Sequence, residues 1–167
     1  MNGLRLARLS DLNEIMDVVK DAQDFLKLQN SGQWQDGTPS IATIVEDSMK
    51  GRFYVWVEEG IIVGIIAILD YDKDYDHLKS GQWRFPAPYL VIHRFAVKSD
   101  YHSQGIATNI LKAVEDFAQE RNIGTIRIDT HEKNIPMINL LVKNGFEMCG
   151  EVMIEGIKPR IAFDKRL

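Results

Sequence analysis

This chain predicts a mixed α/β domain: a mostly antiparallel sheet with helices on both faces. Three observations carry that expectation. Two β-branched and aromatic runs, residues 53–57 and 61–70, meet at Glu58-Glu59-Gly60 and read as a hairpin. A second pair, residues 146–154 and 157–163, meets at Glu155-Gly156 and reads the same way. Between them a strand-like run at 89–97 leads through a helical stretch to a short strand at 125–129. Such a β-α-β unit requires a parallel pair within the sheet. The element order is β-α-α-β-β-β-α-β-α-β-β, with no repeat or linker, so residues 1–167 are expected to form one domain.

Taken in order, Leu4 and Leu6 alternate weakly across residues 3–8 and mark a first strand. Ser10 is placed to cap a helix that carries Leu12, Ile15, Met16, Val19, Ala22 and Leu26 on one face. Residues 30–39, NSGQWQDGTP, are loop by their turn formers. Ser40 caps a second helix through Ile41, Ile44, Val45 and Met49, stopped at Lys50-Gly51. After the first hairpin, residues 70–88 read as one long connection, a length usually associated with function or mobility. The helix from residue 105 to about 121 sets Ile106, Ile110, Val114 and Phe117 on a stripe, with Leu111 and Ala118 beside it. A last helix, 134–144, tolerates Pro136 in its first turn and has Gly145 just past its end.

Composition narrows the function classes. With 45% hydrophobic and 26% charged residues, the 19.1 kDa chain falls among ordinary globular domains. One cysteine, Cys149, excludes an internal disulfide and a cysteine metal cluster; it is expected to be a small buried apolar residue in a reducing cytosol. The opening MNGLRLARLSDLNE shows no secretory signal, and the longest apolar run, 61–69, is too short to span a bilayer. Net charge is −4 and the basic residues are scattered, so neither nucleic acid nor a membrane is an expected partner.

The chemistry concentrates in YLVIHRFAVKSDYHSQGIATN, residues 89–109. A strand enters a glycine-containing turn that opens directly into a helix, and the free N–H groups of such a helix start make a seat for phosphate. This segment resembles the acyl-CoA pyrophosphate loop of the GNAT superfamily of N-acetyltransferases. The family pattern is Arg or Gln, two residues, Gly, one residue, then Gly or Ala. Here it reads His102-Ser103-Gln104-Gly105-Ile106-Ala107, departing from the pattern at His102. The resemblance implies that Ser103, Gln104, Gly105, Ile106, Ala107 and Thr108 hold the diphosphate of acetyl-CoA. It also implies that Phe95, Ala96 and Val97 form a bulged strand end. Their backbone would pair with the pantetheine arm and supply an oxyanion-binding N–H, typically worth about 3 kcal/mol of barrier.

Asn134 opens HEKNIPMINLLVKNGF, which ends in Gly145-Phe146 and is similar to the family's second signature. Its side chain there binds pantetheine or caps the adjacent helix. Many members carry a tyrosine acid seven residues on, where this chain has Leu141, so no general acid carries over.

His93 is the candidate base. Strand alternation places it on the face of Phe95 and Val97, with Arg94 opposite. Arylalkylamine acetyltransferases of the superfamily resemble the chain in having a histidine there. The chemistry suits imidazole: an alkylammonium, pKa about 10, must lose a proton before it attacks. A hydrogen-bonded structural histidine is the alternative. Asp129 and His131 share a face and form a further candidate pair, while His77 lies in a polar loop. Trp34, Tyr75, Trp83 and Phe85 either line an acceptor pocket or pack as lids on the core. Asp70, Asp72, Asp74 and Asp76 alternate as in a calcium loop. Tyr75 replaces the glycine such a loop needs and Gly81 its final glutamate, so no metal is expected.

The chain thus reads as an acetyl-CoA-dependent N-acetyltransferase. The acetyl group would pass to the primary amine of a small molecule by direct attack in a ternary complex. One alternative is an acyl-CoA-binding module without turnover, which Leu141 favours; another is an acetyltransferase of protein N-termini or lysines. A nucleotide-binding α/β domain is a further rival, and the absence of GxxxxGK[ST] and of a three-glycine fingerprint counts against it. A homodimer is compatible with these features.

Overall fold

Amphipathic helices bury their apolar stripes against both faces of a single sheet in the computed structural model, which describes residues 2–167. The strands are β1 (Gly3–Leu6), β2 (Phe53–Glu58), β3 (Ile61–Leu69), β4 (Ser80–Gly81), β5 (Tyr89–Val97), β6 (Thr125–Thr130), β7 (Glu147–Ile154) and β8 (Lys158–Arg166). The helices are α1 (Leu12–Leu28), α2 (Ile41–Met49), α3 (Ile106–Glu120) and α4 (Ile135–Lys143). The sheet order is β1-β2-β3-β5-β6-β8-β7-β4, with β5–β6 parallel and the other pairs antiparallel.

On one face, Ile15, Val18 and Val19 of α1 and Ile44 of α2 pack on Val55, Ile65 and Ala67. On the other, Ile110, Leu111 and Val114 of α3 and Leu141 of α4 pack on Val63, Ile66, Ile92 and Ile126. The expected Ser40 cap holds α2, its hydroxyl accepting the Thr43 N–H at 3.2 Å. The start of α1 differs from expectation. A short 3₁₀ turn at Leu9–Asp11 precedes it, and the Asp11 carboxylate, not Ser10, accepts the Arg8 N–H at 2.8 Å. That carboxylate also takes two bonds from Arg5, which a hydroxyl could not match.

Segment 70–88 is neither structureless nor loose. It contributes the two-residue β4, which pairs with β7 at Ser80↔Glu151 and Gly81↔Gly150. The backbones approach so closely that a Cβ on Gly81 would lie 2.1 Å from the Cys149 carbonyl oxygen. Asp164, 0% exposed, accepts the Arg84 and Phe85 N–H groups and the Arg84 guanidinium, at 2.8, 3.2 and 2.7 Å. The Trp83 indole N–H donates to the Tyr75 carbonyl at 2.8 Å, and Arg127 stacks between Trp83 and Tyr89. Pairing of Thr125↔Arg166 also carries β8 beyond the expected stop at Phe163. Cys149 is part-exposed at a bulge in β7 rather than buried in the core. Desolvation and the neighbouring Asp164 push its thiol up to about 11, which makes it a poor nucleophile.

Arg84 keeps Glu147 as a partner, but without Asp164 the Arg84 and Phe85 N–H groups lose their shared acceptor. At about 1–3 kcal/mol for each stranded donor, Asp164→Ala is expected to destabilise the fold by about 3 kcal/mol. Urea unfolding of the variant checks this, and an unchanged midpoint would show that Asp164 does not pin the segment.

Candidate active site

The site begins with an irregularity in β5. Its ladder with β3 pairs Ala67 with His93 and Ile65 with Ala96, so Arg94 and Phe95 together oppose Ile66 alone. Arg94 takes φ 51°, the left-handed region, and the strand is bulged. Cross-strand partners share a face. His93 therefore points with Ala67 toward α1 and α2, while Phe95 and Val97 point into the α3 and α4 core. The alternation rule placed His93 with Phe95 and Val97 and Arg94 opposite; the bulge reverses both. Arg94 now reaches Asp47 of α2, its Nε 3.1 Å from Oδ2, while Arg52 takes Oδ1 at 2.7 Å.

The parallel ladder between β5 and β6 ends at Ile92↔Ile128, and β6 continues along β8. Residues 93–97 thus keep β3 on one edge and open the other into a cleft. A cavity of about 630 Å³ fills that cleft. Phe95, Ala96 and Val97 line its middle, and Ser103, Gly105, Ile106, Ala107 and Thr108 line one end. Gly105 is the N-cap of α3 at φ 79°, a conformation that disfavours any side chain. The free N–H groups of the first turn of α3 lie at this end, and Lys143 adds a cation that sequence reasoning missed. Gln104 is exposed beside the cavity, its amide donating to the Asp100 carbonyl at 3.3 Å. His102, at the position of the family's Arg or Gln, donates from Nε2 to the Val97 carbonyl at 2.8 Å and packs edge-on against Phe25.

Asn134 also lines the cavity and caps α4, accepting the Met137 N–H at 3.4 Å. Its amide donates to Gln33, whose Oε1 also accepts the Thr130 hydroxyl at 3.3 Å and the His131 N–H at 3.2 Å. Leu141 is 0% exposed and belongs to the core beneath α4.

A second cavity, about 540 Å³, adjoins the first and shares Gln33, Trp34, Phe95 and Met137 with it. His93 lines it. Its Nε2 lies 2.6 Å from Asp72 Oδ2 and its Nδ1 4.0 Å from Asp129 Oδ2. Burial alone would raise the Asp72 carboxyl, but the hydrogen bond and charge of His93 outweigh it and hold the group below the ordinary range. An ionised Asp72 requires a proton on Nε2, which leaves Nδ1 as the basic nitrogen of the neutral ring. Asp129 is opposite: its side chain is 9% exposed, and desolvation holds its carboxyl above the ordinary range despite the His93 charge. The buried Tyr75 hydroxyl donates to it at 2.5 Å.

Of the aromatic candidates, Trp34 lines both cavities, and Tyr75 lies beneath the second. Trp83 and Phe85 pack away from it against Arg127, Arg84 and Arg166. His131 does not join Asp129: its Nδ1 accepts the Lys133 N–H at 3.1 Å. Asp72 was legible only as one of four alternating aspartates, and nothing in the sequence tied it to His93.

Residues 19–146 match the model of the family described as "Acetyltransferase (GNAT) family", most of the chain, and the protein belongs to that family. A GNAT-family acetyltransferase from Streptococcus agalactiae is 30% identical, over 99% of this chain and 95% of that one, with a TM-score of 0.90. A GNAT-family acetyltransferase from Listeria monocytogenes (23% identical, TM-score 0.75, 99% and 95% covered) shares the fold. So does the PaiA N-acetyltransferase of Thermoplasma acidophilum, solved with coenzyme A (14% identical, TM-score 0.76, 100% and 99% covered). No curated protein matches significantly. Among the described residues no helix is long and apolar enough to cross a membrane.

The Asp129 environment has a consequence for stability. An aspartate titrates near 3.9 when unfolded. Because the folded value is raised, stability falls as pH rises through the folded value, and the penalty persists above it. Asp129→Asn, which can still accept from Tyr75, is expected to be more stable than the parent at pH 7, with the gap closing toward pH 4. Urea midpoints at the two pH values measure this, and identical pH profiles would contradict it.

Proposed function

We propose that the protein is an acetyl-CoA-dependent N-acetyltransferase acting on the primary amine of a small molecule. One observation carries the reading: the cleft cavity with the α3 N-terminus at one end opens, at Gln33, Trp34, Phe95 and Met137, into a second cavity holding His93. The first has the residues an acyl-CoA needs. Main-chain amides of residues 103–108 and Lys143 would meet the phosphates. The open edge of residues 95–97 would pair with the pantetheine, and Ala22, Leu26 and Leu140 give it apolar cover. The coenzyme A bound by the PaiA relative supports this assignment.

His93 Nδ1 would take a proton from the acceptor's ammonium, directly or through one water, while Asp72 holds the ring. The neutral amine then attacks the thioester carbon. A C–N bond forms, the nitrogen sheds its second proton to solvent, the C–S bond breaks, and the thiolate departs. With Leu141 buried, its proton comes from solvent, for which a thiol pKa near 8.5 suffices. Holding both substrates in one cleft and stabilising the oxyanion from the β5 backbone would supply most of the acceleration. The pinned 70–88 segment walls the second cavity through Tyr71, Asp72 and Asp74, which favours a small acceptor over a protein chain.

His93→Ala is expected to lower kcat by about 10²–10⁴-fold, with calorimetric affinity for coenzyme A retained. Thiol release across an amine panel measures the first quantity. A variant as active as the parent would remove His93 from the chemistry, and a parent protein that ignores coenzyme A would remove the whole reading.

A further inference from the structure

Arg160 is the feature of the second cavity that proton transfer leaves unused. It stands on β8 opposite Val152, two residues from Ala162, whose partner across the ladder is Asp129. Partners and alternate residues share a face, so Arg160 rises on the same side of the sheet as Asp129 and His93. From standard strand spacings its Cα lies about 8 Å from that of Asp129.

The other cations of this cavity are committed or exposed. Lys158 is held by Asp36 at 2.8 Å, Arg94 by Asp47 at 3.1 Å, and Lys73 lies exposed on the rim. Arg160 is half-buried, lines the cavity, and has no carboxylate within ion-pair distance among the described residues. Its one hydrogen bond among the described residues, from Nη1 to the Pro159 carbonyl at 2.9 Å, uses a single donor of five. A guanidinium fork in this position matches a carboxylate in two parallel bonds, and a partly desolvated cation gains by acquiring one.

We propose that the acceptor carries a carboxylate as well as its primary amine, as a free amino acid does. The amine faces His93 and Asp129, and the carboxylate docks on Arg160. The proposal rests on the acetyltransfer reading and adds the acceptor's second charge. The products are then the N-acetylated acid and coenzyme A thiol. A carboxylate on Arg160 also fixes which end of the acceptor enters, so the amine arrives at Nδ1 rather than at the rim.

The test measures thiol release from acetyl-CoA with matched pairs: amino acids against the amines left when their carboxylate is removed, and against their carboxamides. Calorimetry with coenzyme A accompanies each preparation. The parent protein is expected to favour the carboxylate members by about tenfold or more in kcat/KM, the value of one charge-assisted hydrogen bond. Arg160→Gln is expected to raise KM for those members about tenfold more than for the plain amines, and Arg160→Lys to recover part of the preference. Equal rates on both members of each pair, equal losses in both sets on substitution, or coenzyme A binding without release from any pair overturns the proposal while the cosubstrate site stands. Failure to bind coenzyme A overturns the acetyltransfer reading itself, and the proposal with it.

Discussion

The geometry of this protein hangs on the extra residue that β5 carries at Arg94. A regular strand would send His93 to the same side as Phe95 and Val97, into the apolar layer under α3 and α4. The bulge sends it the other way, toward Asp72 and Asp129, while Phe95 and Val97 remain in the core. A non-glycine residue in the left-handed region costs about 1–3 kcal/mol where it is strained, and surrounding contacts must hold it there. Asp47 supplies them. It is 0% exposed, lies between the guanidinium groups of Arg52 and Arg94, and ties α2 to the irregular point of the strand. The core on one side and the polar site on the other both depend on that anchor.

The second determinant is the parting of β5 from β6 after Ile92. A parallel pair that separates leaves backbone groups without a protein partner, and in this chain they face a cavity rather than bulk solvent. His102 compensates in part by donating to the Val97 carbonyl, so the turn that leads into α3 is fastened to the end of the opened strand. Replacement of the family's Arg or Gln by His102 thus exchanges a long polar side chain for a bracket between the loop and the strand. Segment 70–88 completes the enclosure. Asp164 and the β4–β7 pairing hold its far end, and the near end delivers Asp72 to His93 and Tyr75 to Asp129.

Much of this was legible from residue patterns. Both hairpins turn where Glu-Gly pairs stand, because those positions need positive φ: Glu59 and Gly60 have 48° and 83°, Glu155 and Gly156 have 55° and 73°. The helices followed from their stripes, and the α3 start from Gly105. Less legible was anything set by tertiary partners. The two residues of β4 carry no strand pattern; they pair because glycines at 81 and 150 let two backbones meet. The facing of His93 escapes the alternation rule because a bulge interrupts the period of two and leaves no compositional trace. Asp72 and Arg160 are distant from His93 in the chain and only the sheet brings them together. Cys149 looked apolar by type, yet the bulge in β7 turns it partly outward.

Gln33 lies where the two cavities meet, and its carbonyl oxygen collects three donors, from Thr130, His131 and Asn134. A primary amide is nearly symmetric in shape, and commonly its two ends can exchange places at little penalty. Here a half-turn would set an NH₂ against two N–H donors at once, those of His131 and Asn134. The amide is therefore locked in one sense, with its two hydrogens turned away from β6 and α4. A loop side chain becomes, by the company its oxygen keeps, an oriented dipole at the seam.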